Sequence, residues 1–276
     1  MAASRRTRLT VTLVVVVAVV GALVLVARAL WDTDRDTFSA DTCTFGQYDV
    51  DPEQASVAAT MIGAVTSYKT PLPERAQVLV LAAGLQESKL RNIPAGQGDR
   101  DSVGVLQQRP SQGWGSAASL ADVRTATTKF LDALVKVDGW ESERPEDAIQ
   151  KVQISIDGSL YAQHVGQATE MAAALSGRTP AGVTCEFDKP SEVAPASTVA
   201  TQAGQELGIT TPIAAGTRTV RVPGAGWQTA AWFVCNADRL GIDSVAYDGR
   251  EWSRDKGWQR SSDASAAQVV ATMARV

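Results

Sequence analysis

The titratable residues narrow the chemistry of this 276-residue chain before any element is placed. It has one histidine, His164. A single imidazole excludes a zinc site built on two His and a Glu. A Ser-His-Asp or Cys-His enzyme would have to use His164 itself, and no nucleophile motif stands elsewhere. The segment Tyr161-Ala162-Gln163-His164-Val165 reads as mid-helix, so His164 is expected to be structural or to line a cleft. No metal or other cofactor is indicated. The chemistries left are those run by carboxylates.

Among the carboxylates Glu87 has the most informative surroundings. From Ala76 to Leu85 nearly every residue is apolar, Gln77 and Gly84 excepted. A helix that is apolar almost all round is buried. Gln86-Glu87-Ser88-Lys89 breaks the pattern at its C-terminal end. Leu90-Arg91-Asn92 then closes the element, with Asn92 as a left-handed cap and Pro94 as the stop. Glu87 is therefore expected in the last turn of a buried helix, where apolar packing meets a cleft. Desolvation and the negative end of the helix dipole both raise a carboxyl pKa at such a position. A carboxyl that keeps its proton near neutral pH can serve as a general acid. The competing reading is a solvated Glu at a helix end.

Glu87-Ser88, a Gly/Asp loop and then Gly104-Val105-Leu106-Gln107-Gln108 together resemble the soluble lytic transglycosylase and goose-type lysozyme group. That group carries a catalytic Glu followed by Ser, then a Gly-Leu-Met-Gln-like segment. Val105 and Leu106 replace the usual pair here. The string from Asp99 to Gly115 resembles a variant seen in actinobacterial secreted and phage-tail lysozyme-like domains. The resemblance implies cleavage of the MurNAc-GlcNAc bond of peptidoglycan by a single Glu, acting first as acid and then as base. The muramic acid's 6-hydroxyl attacks and a 1,6-anhydro product forms. A second carboxylate would come from Asp99 or Asp101, and Asp101 is otherwise a turn residue.

Ser88 and Asp101 join the candidate substrate contacts. Gln107 and Gln108 offer amides for sugar hydroxyls and N-acetyl groups, unless both face solvent. By the resemblance Gln107 matches the cleft glutamine. Trp114 either stacks on a sugar face or plugs the core. Gln153 and Tyr161 lie where the group keeps a third motif, an aromatic residue near the catalytic Glu. Ser155-Ile156-Asp157-Gly158-Ser159-Leu160-Tyr161 departs from its Ala-Tyr-Asn form. Two other readings remain open: a wall-binding module without turnover, or a scaffold in the cell envelope.

The elements that must position these residues follow from the rest of the chain. Residues 1–30 hold a basic tip and an uncharged run, Leu9 to Ala27, long enough to span a bilayer. The flanking Arg residues place the bulk of the chain outside. An uncleaved membrane anchor is expected, with a signal peptide cut near Ala27-Arg28-Ala29 as the alternative. Residues 31–42 form a spacer. Without Arg5, Arg6, Arg8 and Arg28, 22 basic face 30 acidic residues. That balance argues against nucleic acid and leaves an uncharged glycan strand open.

Residues 43–187 are expected to be an α-rich lysozyme-like domain of five helices. These start at Asp51-Pro52, run through Glu87, and continue over 119–137, 145–154 and 159–176. A short hairpin or irregular segment falls within 92–100. Outside the membrane a disulfide is permitted. Cys43–Cys185 is the expected pair, tying the two ends of this domain together, and the resemblance supports it. The alternative is two free buried thiols. Residues 188–197 read as a linker, and 198–276 as a small α/β domain behind it. That last stretch holds a strand over 217–222, a helix over 227–240 and a hairpin around Asp248-Gly249. Residues 268–276 form a strand or a helix, and Cys235 is an unpartnered core residue. The small domain resembles one found behind wall-associated domains in actinobacteria, and it is a candidate surface for a protein partner.

Overall fold

The computed structural model describes residues 41–155, 157–211 and 213–275. The first half opens on a hairpin of β1 (Thr42–Phe45) and β2 (Tyr48–Val50). Helices α1 (Pro52–Thr66) and α2 (Arg75–Ser88) follow. Two helices, α3 (Ala117–Leu120) and α4 (Val123–Leu134), replace the single helix expected over 119–137. Asp122 divides them because its side chain accepts from Thr125 N and starts a new helix. Helix α5 spans Pro145–Gln153, and the expected last helix is split into α6 (Ser159–Ala162) and α7 (Val165–Leu175) around His164. Strand β3 (Val183–Glu186) returns to pair antiparallel with β1.

In the second half α8 (Ala196–Leu207) precedes β4 (Ala214–Ala215) and β5 (Thr219–Pro223). Then come α9 (Trp227–Cys235), α10 (Ala237–Leu240), β6 (Ile242–Tyr247), β7 (Arg250–Ser253), β8 (Gly257–Arg260) and β9 (Gln268–Met273). Strands β4 to β9 make a six-stranded antiparallel sheet, ordered β4-β5-β9-β6-β7-β8. Residues 268–273 are thus an interior strand, and their alternating burial fits that place. The hairpin at Asp248-Gly249 forms with both residues at positive φ, as the two-residue turn requires.

The α-rich fold class expected from the sequence does not hold. With 42% helix, 17% strand and two antiparallel sheets, the described chain is mixed α/β and not an α-rich bundle with a small appendage. The first half carries a three-stranded sheet of its own, β2-β1-β3. Its strands are three or four residues long, too short for periodicity to reveal. The β1–β2 hairpin is held in place by β3, which pairs with β1 across the whole half. The expected transmembrane helix falls on residues outside those described. Among the described residues no helix is long and apolar enough to cross a membrane.

The start of α1 forms as its sequence dictates. Asp51 caps Gln54 N, Gln54 caps Asp51 N, and Pro52 takes the first helical position. Helix α1 then packs against α2, α4, α7, α8 and α9. Gly63 permits the approach to α8, since a Cβ there would stand 2.2 Å from the Glu206 carbonyl oxygen. Glu206 ties three helices together: its Oε2 accepts from Thr60 Oγ1 at 2.7 Å and from Trp232 Nε1 at 2.9 Å. The two sheets are joined as well. Trp252 Nε1 donates to Cys185 O at 3.0 Å, and Trp258 Nε1 donates to Val183 O at 2.7 Å. The core therefore runs without interruption from Cys43 to Met273.

Cys43 and Cys185 form the expected disulfide. They are directly opposite each other on β1 and β3, and both are fully buried. Cys235 is a free, buried thiol whose pKa burial pushes up.

Candidate functional site

Helix α2 is apolar because it is interior: Leu79 through Ala83 are all inaccessible. The end of this helix differs from expectation. Lys89 and Leu90, not Asn92, take the left-handed conformation, at φ 56° and 58°. Leu90 N donates to Gly84 O at 3.0 Å and Lys89 N to Leu85 O at 3.1 Å, a Schellman-type closure. A left-handed non-glycine residue costs roughly 1–2 kcal/mol. Full burial of a leucine returns roughly 1.5–3 kcal/mol. Leu90 is inaccessible, folded back against Gly84, where a Cβ would meet its Cδ2 at 2.9 Å. Burial decides where the helix stops. Asn92 instead donates from Nδ2 to Ala121 O.

This closure leaves Glu87 in the final turn, half-buried, with Ser88 turned inward. Ser88 Oγ donates to Val105 O at 2.7 Å, and Gln153 Nε2 donates to Leu106 O at 2.9 Å. The Gly104-Val105-Leu106-Gln107 turn is thereby pinned between α2 and α5. Val103 and Gln108 exchange backbone hydrogen bonds across it. Val105 and Leu106 are fully buried.

Glu87 lines a recess of about 290 Å³ together with Gln86, Ser155, Asp157, Leu160 and Tyr161. Tyr161 Oη donates to Glu87 Oε1 at 2.6 Å. Burial, and then this bond, raise the phenol's pKa, so it remains a donor. His164 Nε2 stands 3.0 Å from Gln86 Oε1. Burial lowers the pKa of His164, so the ring is neutral and the contact selects its Nε2–H tautomer. Gln163 Nε2 also approaches Gln86 Oε1, at 3.3 Å. The Gln86 amide is thus held by its oxygen, with its NH2 donors left over. Ser155 Oγ is buried in the same recess, within reach of the Tyr161 side chain.

The other nominated residues stand elsewhere. Asp101 braces its own loop: Oδ2 accepts from Ser111 N and Oδ1 from Arg109 Nε, both at 2.7 Å. These bonds hold its carboxyl well below the usual range. Gln108 is buried and donates to Ala126 O at 3.1 Å. Gln107 folds back on Gly104 O at 2.9 Å, and Trp114 is half-buried against the core. None of these four lines the Glu87 recess. Tyr161 does, despite its altered motif. Gln86, Ser155, Asp157 and Leu160 were not singled out from the sequence. The sequence points to that loop only through the third-motif segment Ser155 to Tyr161. A larger recess of about 420 Å³, lined by Ala200, Thr201, Gly204, Gln205, Ile209 and Ile213, holds no titratable side chain and so no acid or base.

Ile154 closes α5 at φ 54° and is 83% exposed. A β-branched residue in that region is strained, and its side chain recovers nothing by burial. Ile154→Gly is expected to stabilise the fold by about 1 kcal/mol, because glycine takes this conformation freely. Urea unfolding measures it, and a loss of stability would contradict the argument. No protein-family model matches the chain, and no curated protein matches it.

Proposed function

We propose that the chain cleaves the glycan strand of peptidoglycan outside the cytoplasm, with Glu87 as the proton donor. The observation that carries this reading is the Tyr161–Glu87 hydrogen bond at the recess. The phenol occupies Oε1, so a proton on the carboxyl resides on Oε2, and one donor position is defined. That proton passes to the oxygen of the MurNAc-GlcNAc bond as C1–O4 breaks, and the bonding pair stays with the leaving oxygen. The resulting carboxylate takes the proton of the muramic acid's 6-hydroxyl, whose oxygen closes on C1. Atoms balance without water, and the product is a 1,6-anhydro sugar. The structural disulfide supports an oxidising, extracytoplasmic location. The likeness of Glu87-Ser88 and Gly104 to Gln107 to the lytic transglycosylase motifs supports the substrate class.

The test is incubation of the purified chain with peptidoglycan sacculi, followed by mass measurement of the soluble sugars. Products one water lighter than reducing muropeptides support the reading. Reducing ends would convert it to hydrolysis. Binding without release would leave a wall-binding module.

A further inference from the structure

The loop between α5 and α6 brings a second carboxylate to the recess that no sequence signal assigned to it. Asp157 lines the same cavity as Glu87. Its Oδ1 accepts from Ser159 N at 2.9 Å and from Ser159 Oγ at 2.6 Å. Oδ2 takes no hydrogen bond from any described residue. Glycosidases commonly set two carboxylates around one scissile bond, and here two line a single recess of about 290 Å³. The two Ser159 bonds also lower the pKa of Asp157, so the group is ionised whenever the protein is folded near neutral pH. Ser155 and Tyr161 add polar side chains to the lining that the two carboxylates share.

We propose that Asp157 is the second carboxylate of the Glu87 site, stabilising the positive charge that develops at the anomeric carbon as the glycosidic bond breaks. This assignment rests on the reading of Glu87 as proton donor. Asp157 forms no bond and transfers no proton in the step. Its free Oδ2 acts as a fixed negative charge, anchored by Ser159 so that little reorganisation is needed at the moment of cleavage. The group that closes on C1 is unaffected, so the anhydro product is retained.

Asp157→Asn isolates the charge, because the amide oxygen still accepts both Ser159 bonds. Initial rates are measured on purified, uncrosslinked glycan strands at a series of concentrations, with thermal melting as the control for folding. The expected result is a fall in kcat on the order of 100-fold, with KM, product mass and melting temperature unchanged. A wild-type kcat, or a loss confined to KM, overturns the assignment while leaving Glu87 intact. A wild-type chain that releases nothing overturns the cleavage reading and this assignment with it.

Discussion

Glu87→Gln is expected to abolish release of soluble sugars from sacculi while leaving the folded structure in place. The substitution is nearly isosteric, and the amide oxygen can still accept from Tyr161 Oη, which now bonds Oε1 at 2.6 Å. The variant loses only the ability to deliver a proton. General acid catalysis contributes roughly 10²–10⁴-fold, and the same carboxylate is asked to serve twice in the proposed sequence, so the loss belongs at the upper end of that range. Muropeptide release measures it, and circular dichroism shows that the fold is retained. Binding to sacculi should persist, since the recess keeps its shape. Release that is undiminished in Glu87→Gln would remove Glu87 from the chemistry and with it the function proposed above.

The second large effect concerns stability. Changing Cys43 and Cys185 together to Ala is expected to cost about 2–5 kcal/mol, read from urea unfolding. The bond closes a loop of 142 residues in sequence, and long loops forfeit the most entropy in the unfolded chain when they are cross-linked. Both sulfurs are inaccessible, so a reductant should reach them only after unfolding. The loss should fall on the first half as a unit, because β1 and β3 are paired through these residues. Destabilisation below about 1 kcal/mol would show that the strand ladder and the Trp252 and Trp258 bonds hold the chain ends without the cross-link.

The reach of sequence differs between elements for a physical reason. The cap at Asp51 and the turn at Asp248-Gly249 depend on hydrogen bonds spanning a few residues, so the residue types alone determined them. The same holds for Glu87 at the end of an interior helix, since an unbroken apolar run specifies burial wherever it packs. Other features depend on partners far away along the chain. Tyr161 and Glu87 meet across 74 residues, and β1 and β3 pair across most of the first half. No local pattern encodes those distances.

Asp101 and Asp157 show the point most directly. Both are carboxylates in Gly-rich turns with similar local chemistry, and sequence favoured the one nearer the motif. The tertiary structure gave Asp101 to its own loop and Asp157 to the recess. Gln107 and Gln108 were equivalent as amides until packing turned Gln108 inward onto Ala126. Sequence determined which residues could carry the chemistry and where single helices begin. Only the packing of α2 against the α5–α6 loop decided which of them share one cavity, because convergence depends on burial summed over the whole core and not on neighbours in the chain.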